Sequence, residues 1–222
     1  MDNIIEKLLH CIEFGKVNKS APFPPDMRGQ DGADELTKIA LDQGISPTEI
    51  LNDALIKAMD KVGQKFTEKK IFVPQMLISA KAMKAAMTHL KPFFQTGEVK
   101  RKGKFIIGTV AGDLHDIGKN LVAMIIEGSG WEVIDLGVDV SAQKFIQSIK
   151  ENNGAVVGLS ALLTTTMQNM KSIAEKIRAE YPDIKLLIGG APVNENFKNE
   201  IGADNYSADP QKAVSYLNSL VA

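Results

Sequence analysis

The run Gly112-Asp113-Leu114-His115-Asp116-Ile117-Gly118 follows directly on Lys104 to Val110, an apolar stretch with the composition of a buried strand. A histidine in the loop leaving a strand can turn one ring nitrogen outward to a ligand. Asp113, two residues earlier, can hold the other nitrogen, which fixes the tautomer and makes the imidazole a better metal donor. Gly118 has no side chain, so a bulky group can approach the backbone there. Zinc would need three or four protein ligands, and the three histidines, His10, His89 and His115, stand in unrelated places. No loop offers the ring of oxygens that calcium needs. The pattern therefore suits a single axial ligand to a metal that brings its other ligands with it, in a flat macrocycle of the tetrapyrrole kind. The competing reading is that His115 caps a helix or bonds only locally.

Two further loops carry chemistry. Ser160-Ala161-Leu162-Leu163-Thr164-Thr165-Thr166 places four hydroxyls in seven residues after an apolar stretch. One of them, Thr164 or Thr166, is accounted for by capping of the helix that follows; the others are free to meet a ligand's polar groups. Gly189-Gly190 ends another apolar stretch, and reads either as open space beside a ligand or as a plain turn. No Gly-x-Gly-x-x-Gly follows the first strand, no phosphate loop ends in Gly-Lys-Ser/Thr, and no Gly-x-Ser-x-Gly elbow is present.

These loops need a scaffold, and the chain reads as two halves. Apolar residues at helical spacing over 3–16, 33–43, 46–66 and 73–92 predict a small helical bundle, with Ser46-Pro47 marking a helix start and Pro92 a helix end. Residues 18–30 contain Pro22, Pro24 and Pro25 and read as a loop. From Gly103 the rhythm changes: KFIIGTV, WEVIDLG, AVVGLS, IKLLIGG and ADNYS alternate with amphipathic helices. That alternation predicts an α/β fold with a doubly wound, flavodoxin-like sheet of five parallel strands, whose ligands bind beyond the carboxyl ends of the strands. The expected domains are 1–95 and 103–222, joined by the polar stretch 96–102 as a linker.

Composition narrows the classes. The formal net charge is -1 over 222 residues, with 24% charged and 44% hydrophobic residues, so no basic field points to nucleic acid. The apolar runs are too short to cross a bilayer. The acidic, amphipathic start MDNIIEKLLHCIEF is unlike a basic-then-apolar leader, and one cysteine, Cys11, excludes internal disulfides. The expectation is a cytoplasmic protein.

Asp113-x-His115-x-x-Gly118, then Ser160-x-Leu162, then Gly189-Gly190 resembles the signature of base-off, His-on cobalamin-binding domains. The first half, with Phe66, Phe72-Val73-Pro74-Gln75-Met76 and the helix from Ser79 to Lys84, resembles the helical cap of the methyl-transferring branch. The resemblance spans about residues 33 to 222. It is nearest to the small corrinoid proteins of anaerobic methyltransferase systems, with the cobalamin module of methionine synthase more distant. Residues 18–30 depart from it, being longer than a typical member's.

The resemblance implies a cobalamin or related corrinoid bound base-off, with His115 as lower axial ligand to cobalt, Asp113 hydrogen-bonded to it and Thr166 extending the relay. It implies that Gly112, Leu114, Asp116, Ile117 and Gly118 meet the corrin's lower side. Ser160, Leu162, Thr164, Gly189, Gly190 and Ala208 would line the slot for the displaced nucleotide tail, and Phe66, Val73 and Met76 would shield the upper face. The implied partners are a substrate-specific methyltransferase, a second methyltransferase serving tetrahydrofolate or coenzyme M, and a reductive activation protein. The chain would have little turnover alone. The alternative is a cobalamin-binding sensor or regulatory module; no basic helix-turn-helix accompanies the fold.

Overall fold

The structure is a computed structural model and describes residues 3–221. The chain divides into two compact units. One holds residues up to Arg101 together with Gly128–Gly130; the other holds Lys102–Glu127 and the chain from Trp131 onward.

The helical unit is built from α1 (Ile4–Phe14), α2 (Ala33–Asp42), a single turn α3 (Pro47–Glu49), α4 (Lys57–Thr67) and α5 (Val73–Gln95). Its caps are legible. Asn3 Oδ1 accepts from the Ile5 N–H at 3.1 Å, and Ser46 Oγ accepts from the Glu49 N–H at 3.1 Å, satisfying donors a helix start leaves open. The apolar faces meet in a core that includes Leu8, Ile12, Leu55, Met59, Met76 and Leu90, all fully buried. Two details depart from the sequence pattern. Ile50–Ile56 adopts π-helical turns between α3 and α4. The last helix also passes through Pro92 to Gln95 instead of stopping there; a proline removes one N–H from the ladder, and the buried Leu90 face holds the helix across that gap.

Residues 18–30 fold back on this unit. Lys16 is fully buried, its Nζ donating to the Ala21 carbonyl at 2.9 Å, and Met27 is buried in the turn Pro25–Met27.

In the second unit, β1 (Lys104–Thr109), β2 (Glu132–Asp135), β3 (Val156–Ser160), β4 (Leu186–Gly189) and β5 (Asn205–Tyr206) form one sheet in the order β2-β1-β3-β4-β5, every pair parallel. The helices α6 (Ile117–Gly128), α7 (Ala142–Glu151), α8 (Thr164–Glu180), α9 (Glu195–Ile201) and α10 (Pro210–Ser219) connect them. Ile106, Val157 and Ile188 from three central strands pack with Phe145, Ile173 and Ile177 in one continuous core. Strand order reverses between β1 and β3. The loops after these two strands leave in opposite directions and open a crevice, the place where such sheets bind ligands. Among the described residues no helix is long and apolar enough to cross a membrane.

Candidate functional site

The crevice lies where the sequence placed its chemistry. The loop after β1 carries Asp113 and His115, and the loop after β3 leads into α8. Asp113 is fully buried. Its Oδ1 accepts from the His115 backbone N–H at 3.1 Å and lies 2.8 Å from His115 Nδ1. Its Oδ2 accepts from the N–H groups of Leu162 at 2.8 Å and Leu163 at 3.3 Å. Thr166 Oγ1 donates to the same Oδ2 at 2.7 Å, with the Leu163 carbonyl at 2.9 Å as its alternative acceptor.

The carboxylate therefore sits at the amino end of α8, accepting from the amide of the cap residue Leu163, from that of Leu162 before it, and from the Thr166 hydroxyl in the first turn. Leu163, at the cap position, offers no side-chain bond. The Thr166 hydroxyl, read in sequence as a candidate cap, instead turns to Asp113 and to the Leu163 carbonyl, and the helix dipole favours the anion placed there.

Burial works to raise the Asp113 pKa. The hydrogen bonds from Leu162, Thr166 and both N–H groups of His115 outweigh it and hold the carboxyl well below the usual carboxylate range. A charged carboxylate facing Nδ1 requires Nδ1 to carry the proton, which leaves the lone pair on Nε2. The His115 side chain is half exposed, and its carbonyl is held by the Thr109 hydroxyl at 2.9 Å. Among the described residues no three His, Cys, Asp or Glu side chains group to hold a metal ion, so His115 could serve one only as a single donor beside ligands from elsewhere.

Around the imidazole the surface is apolar and open. Leu114 is 72% and Ile117 75% exposed, and Leu162 and Leu163 are also exposed. A Cβ placed on Gly118 would meet nothing within 4 Å. Gly112 adopts φ +81°, and its N–H donates to Asp139 Oδ1 at 2.7 Å. Asp116 accepts from the Asn120 side chain at 3.0 Å beside the start of α6.

The far end of the crevice is formed by β3, β4 and β5. Ser160 is half-buried, and its carbonyl accepts from the Val110 N–H at 3.0 Å. Thr164 is exposed in the first turn of α8, and Ala208 is exposed after β5. The two glycines differ. At Gly189 a Cβ would stand 3.4 Å from the Ser207 carbonyl, in ordinary contact. At Gly190, with φ +129°, it would lie 1.7 Å from the Ala161 carbonyl oxygen, so that glycine is demanded by the protein's own backbone. Ser207 Oγ and Gln211 Oε1 are buried without a hydrogen-bond partner, an arrangement that a polar ligand would relieve.

Phe66, in the last turn of α4, and Val73, the first residue of α5, are half-buried in the helical unit, while Met76 is fully buried there. Five residues at the crevice were not singled out in sequence: Thr109, Asp139, Asn169, Ser207 and Gln211. Their bonds run to backbone atoms or are unmade, so no spacing rule reveals them.

Comparison with known proteins follows the same division. Residues 103–215 match a family model described as a B12 binding domain, and residues 29–91 match a second model of that description. The dimethylamine corrinoid protein of Methanosarcina barkeri is 38% identical over 181 residues, covering 80% of this chain and 85% of the relative. A cobalamin-binding protein from Desulfitobacterium hafniense superposes with TM-score 0.75 at 29% identity, covering 98% of both chains. A chain of the methanol:cobalamin methyltransferase complex from Methanosarcina barkeri superposes with TM-score 0.82 at 26% identity, covering 99% of this chain and 80% of that one.

Proposed function

The chain belongs to the family of B12-binding corrinoid proteins, and on that premise we propose that it carries a methyl group between two methyltransferases, on a corrinoid held base-off with His115 as the lower ligand. The observation that carries this reading is the buried Asp113, its two oxygens surrounded by donors and one of them 2.8 Å from the Nδ1 of a half-exposed His115, at the sheet's switch point.

The residues present fit such a group. Nε2 of His115 is the ring nitrogen left to donate, the apolar side chains of Leu114 and Ile117 suit the underside of a macrocycle, and Gly118 leaves room for it. Ser207 Oγ and Gln211 Oε1 offer unpaired polar atoms for a ligand tail beside Gly189. Ser160, Leu162, Thr164, Gly190 and Ala208 belong to the same proposed slot; Gly112 and Asp116 shape the loop that faces the macrocycle.

When bound, a corrinoid supplies a cobalt centre that accepts and gives up a methyl group. The chain's own part is to hold the imidazole. Asp113 holds the proton on Nδ1, so Nε2 would be the atom to offer the metal a lone pair. Thr166 and the Leu162 and Leu163 amides hold that carboxylate in place and favour its charged form. Phe66, Val73 and Met76 are proposed to restrict water over the opposite face of the ligand. The division into 1–95, a hinge at 96–102 and 103–222 belongs to the same proposal.

The partners we propose are a substrate-specific methyltransferase, a second enzyme serving tetrahydrofolate or coenzyme M, and a reductive activation protein. Methylamines are the first donors to test, because a relative at 38% identity is named for dimethylamine. The test is reconstitution with hydroxocobalamin, then reduction and electron paramagnetic resonance. The expected result is coloured protein after desalting, with hyperfine splitting from one imidazole nitrogen that His115→Ala abolishes. Splitting retained in His115→Ala, or protein left colourless, would overturn the reading.

A further inference from the structure

The segment after β2 does not continue in register along β1. Ile107 pairs with Asp135, so unbroken pairing would set Val110 opposite Val138; Val110 instead bridges to Val140. The main chain rejoins β1 around the excursion, with the Thr109 N–H donating to the Gly137 carbonyl at 3.0 Å and the Val140 N–H to the Thr109 carbonyl at 2.9 Å. Two residues, Val138 and Asp139, are thus looped out between those bonds. Such bulges re-aim a side chain, here toward the neighbouring loop.

Asp139 has φ +53°, the left-handed region, which glycine adopts without strain and which aspartate and asparagine enter more readily than other side chains. Its bonds indicate why a side chain is kept. Asp139 Oδ1 accepts from the Gly112 N–H at 2.7 Å, and its own N–H donates to the Asp113 carbonyl at 3.0 Å. One residue thus holds the peptide units on either side of the Gly112–Asp113 link: the Ala111–Gly112 unit by its N–H and the Asp113–Leu114 unit by its carbonyl. From the opposite side Asn169 Nδ2 donates to the Ala111 carbonyl at 2.7 Å, and it stands 3.2 Å from where a Gly112 Cβ would be. The backbone that aims the Asp113 carboxylate is clamped between α8 and the bulge. A bulge that served only to end β2 would keep its main-chain bonds with glycine at this position and be relieved of strain.

We propose that Asp139 is a positioning residue for the axial histidine: by anchoring the Gly112 amide it fixes Asp113, and through Asp113 the direction of the His115 ring. This rests on the reading of His115 as the corrinoid ligand. It assigns to Asp139 a role outside the Asp113–His115–Thr166 set, reached through backbone atoms only. Asp139→Gly retains the favoured backbone and the N–H donated to Asp113 but removes the acceptor for Gly112. Asp139→Asn retains an acceptor oxygen.

The experiment compares wild type, Asp139→Gly and Asp139→Asn in two measurements: amide hydrogen exchange of Gly112 in the protein without corrinoid, and the imidazole-ligated fraction after reconstitution with hydroxocobalamin and reduction. We expect Asp139→Gly to lose protection at Gly112 and to hold corrinoid about tenfold more weakly, with the imidazole-ligated fraction reduced, while its helical circular dichroism is unchanged. Asp139→Asn should restore both readouts. Wild-type protection and ligation in Asp139→Gly would overturn the proposal, as would an asparagine variant indistinguishable from glycine. If Asp139→Gly does not fold, Asp139→Ser, whose hydroxyl is too short for the same reach, takes its place under the same expectations. Absence of nitrogen coupling in wild type brings down the ligand reading itself, and this proposal with it; coupling in wild type that survives unchanged in the glycine variant brings down this proposal alone.

Discussion

Asp113 collects five hydrogen bonds on two oxygens: two from His115 and one each from Leu162, Leu163 and Thr166. All are donated to it, which suits a carboxylate and no neutral side chain. In Asp113→Asn one of those positions becomes an NH2 group facing donors. The expected outcome is a loss of about 2–3 kcal/mol in urea unfolding, with corrinoid retained but bound about tenfold more weakly in spectral titration. An unchanged unfolding midpoint would show that the network contributes nothing to the fold. Gly118 gives the opposite combination. Nothing surrounds its would-be Cβ, and it lies in the first turn of α6. Gly118→Ala should therefore leave the free protein as stable, or up to about 1 kcal/mol more stable, yet weaken corrinoid binding. Undiminished binding would remove Gly118 from the site. Cys11 takes no part in this chemistry: burial, ahead of its neighbouring charges, pushes its thiol up to about 11, far from a reactive thiolate.

At the scale of elements, the site depends on which strands are neighbours. Asp204, just before β5, ties three elements together. Its Oδ2 accepts from the Leu186 N–H at 2.8 Å at the start of β4 and pairs with Arg178 near the end of α8, and its Oδ1 accepts from Lys185 at 3.1 Å. Burial works to raise its pKa, but these bonds and the Arg178 charge hold the carboxyl below the ordinary range. The sign follows from linkage. With the folded pKa depressed, the stabilisation is fully present above the unfolded value of about 3.9 and is lost as pH falls through the folded value. Thermal melts of the wild type should thus fall between pH 5 and the acid limit, roughly the window linkage assigns to such a carboxylate. Asp204→Asn should melt lower at pH 7 and show a shallower acid slope; an identical slope would exclude Asp204 as a source of the acid sensitivity.

At the scale of the whole molecule, the chain comprises two compact units that meet in sequence at Arg101–Lys102. The polar stretch read as a linker is anchored over part of its length. Val99 is buried with its N–H on the Phe93 carbonyl, the Glu98 carbonyl accepts from the Thr48 hydroxyl at 3.4 Å, and the Arg101 guanidinium stacks 3.9 Å from the Phe94 ring centre. If the proposed hinge operates, the cleavable bonds are those around Lys100 to Lys102. Limited trypsin digestion should cut there, and reconstitution with corrinoid should change the rate. Identical digestion with and without cofactor would count against a moving cap.

Much of this protein was already decided in its one-dimensional pattern. Alternating apolar runs and amphipathic helices from Gly103 onward required a parallel sheet, and Asp113-x-His115-x-x-Gly118 at the end of its first strand put a half-exposed imidazole against a carboxylate two residues away, because short-range periodicity and neighbouring residues determine both. The tertiary structure alone decided that Asp113 would bond the Leu162 amide ahead of α8, 49 residues away, that Gly190 would be claimed by the Ala161 carbonyl, that the last helix of the helical unit would pass Pro92, and that a two-residue bulge would bring Asp139 to Gly112. Each of these depends on a bond or close approach between segments remote in sequence, and spacing along a chain carries no record of which distant backbone atom a side chain will meet.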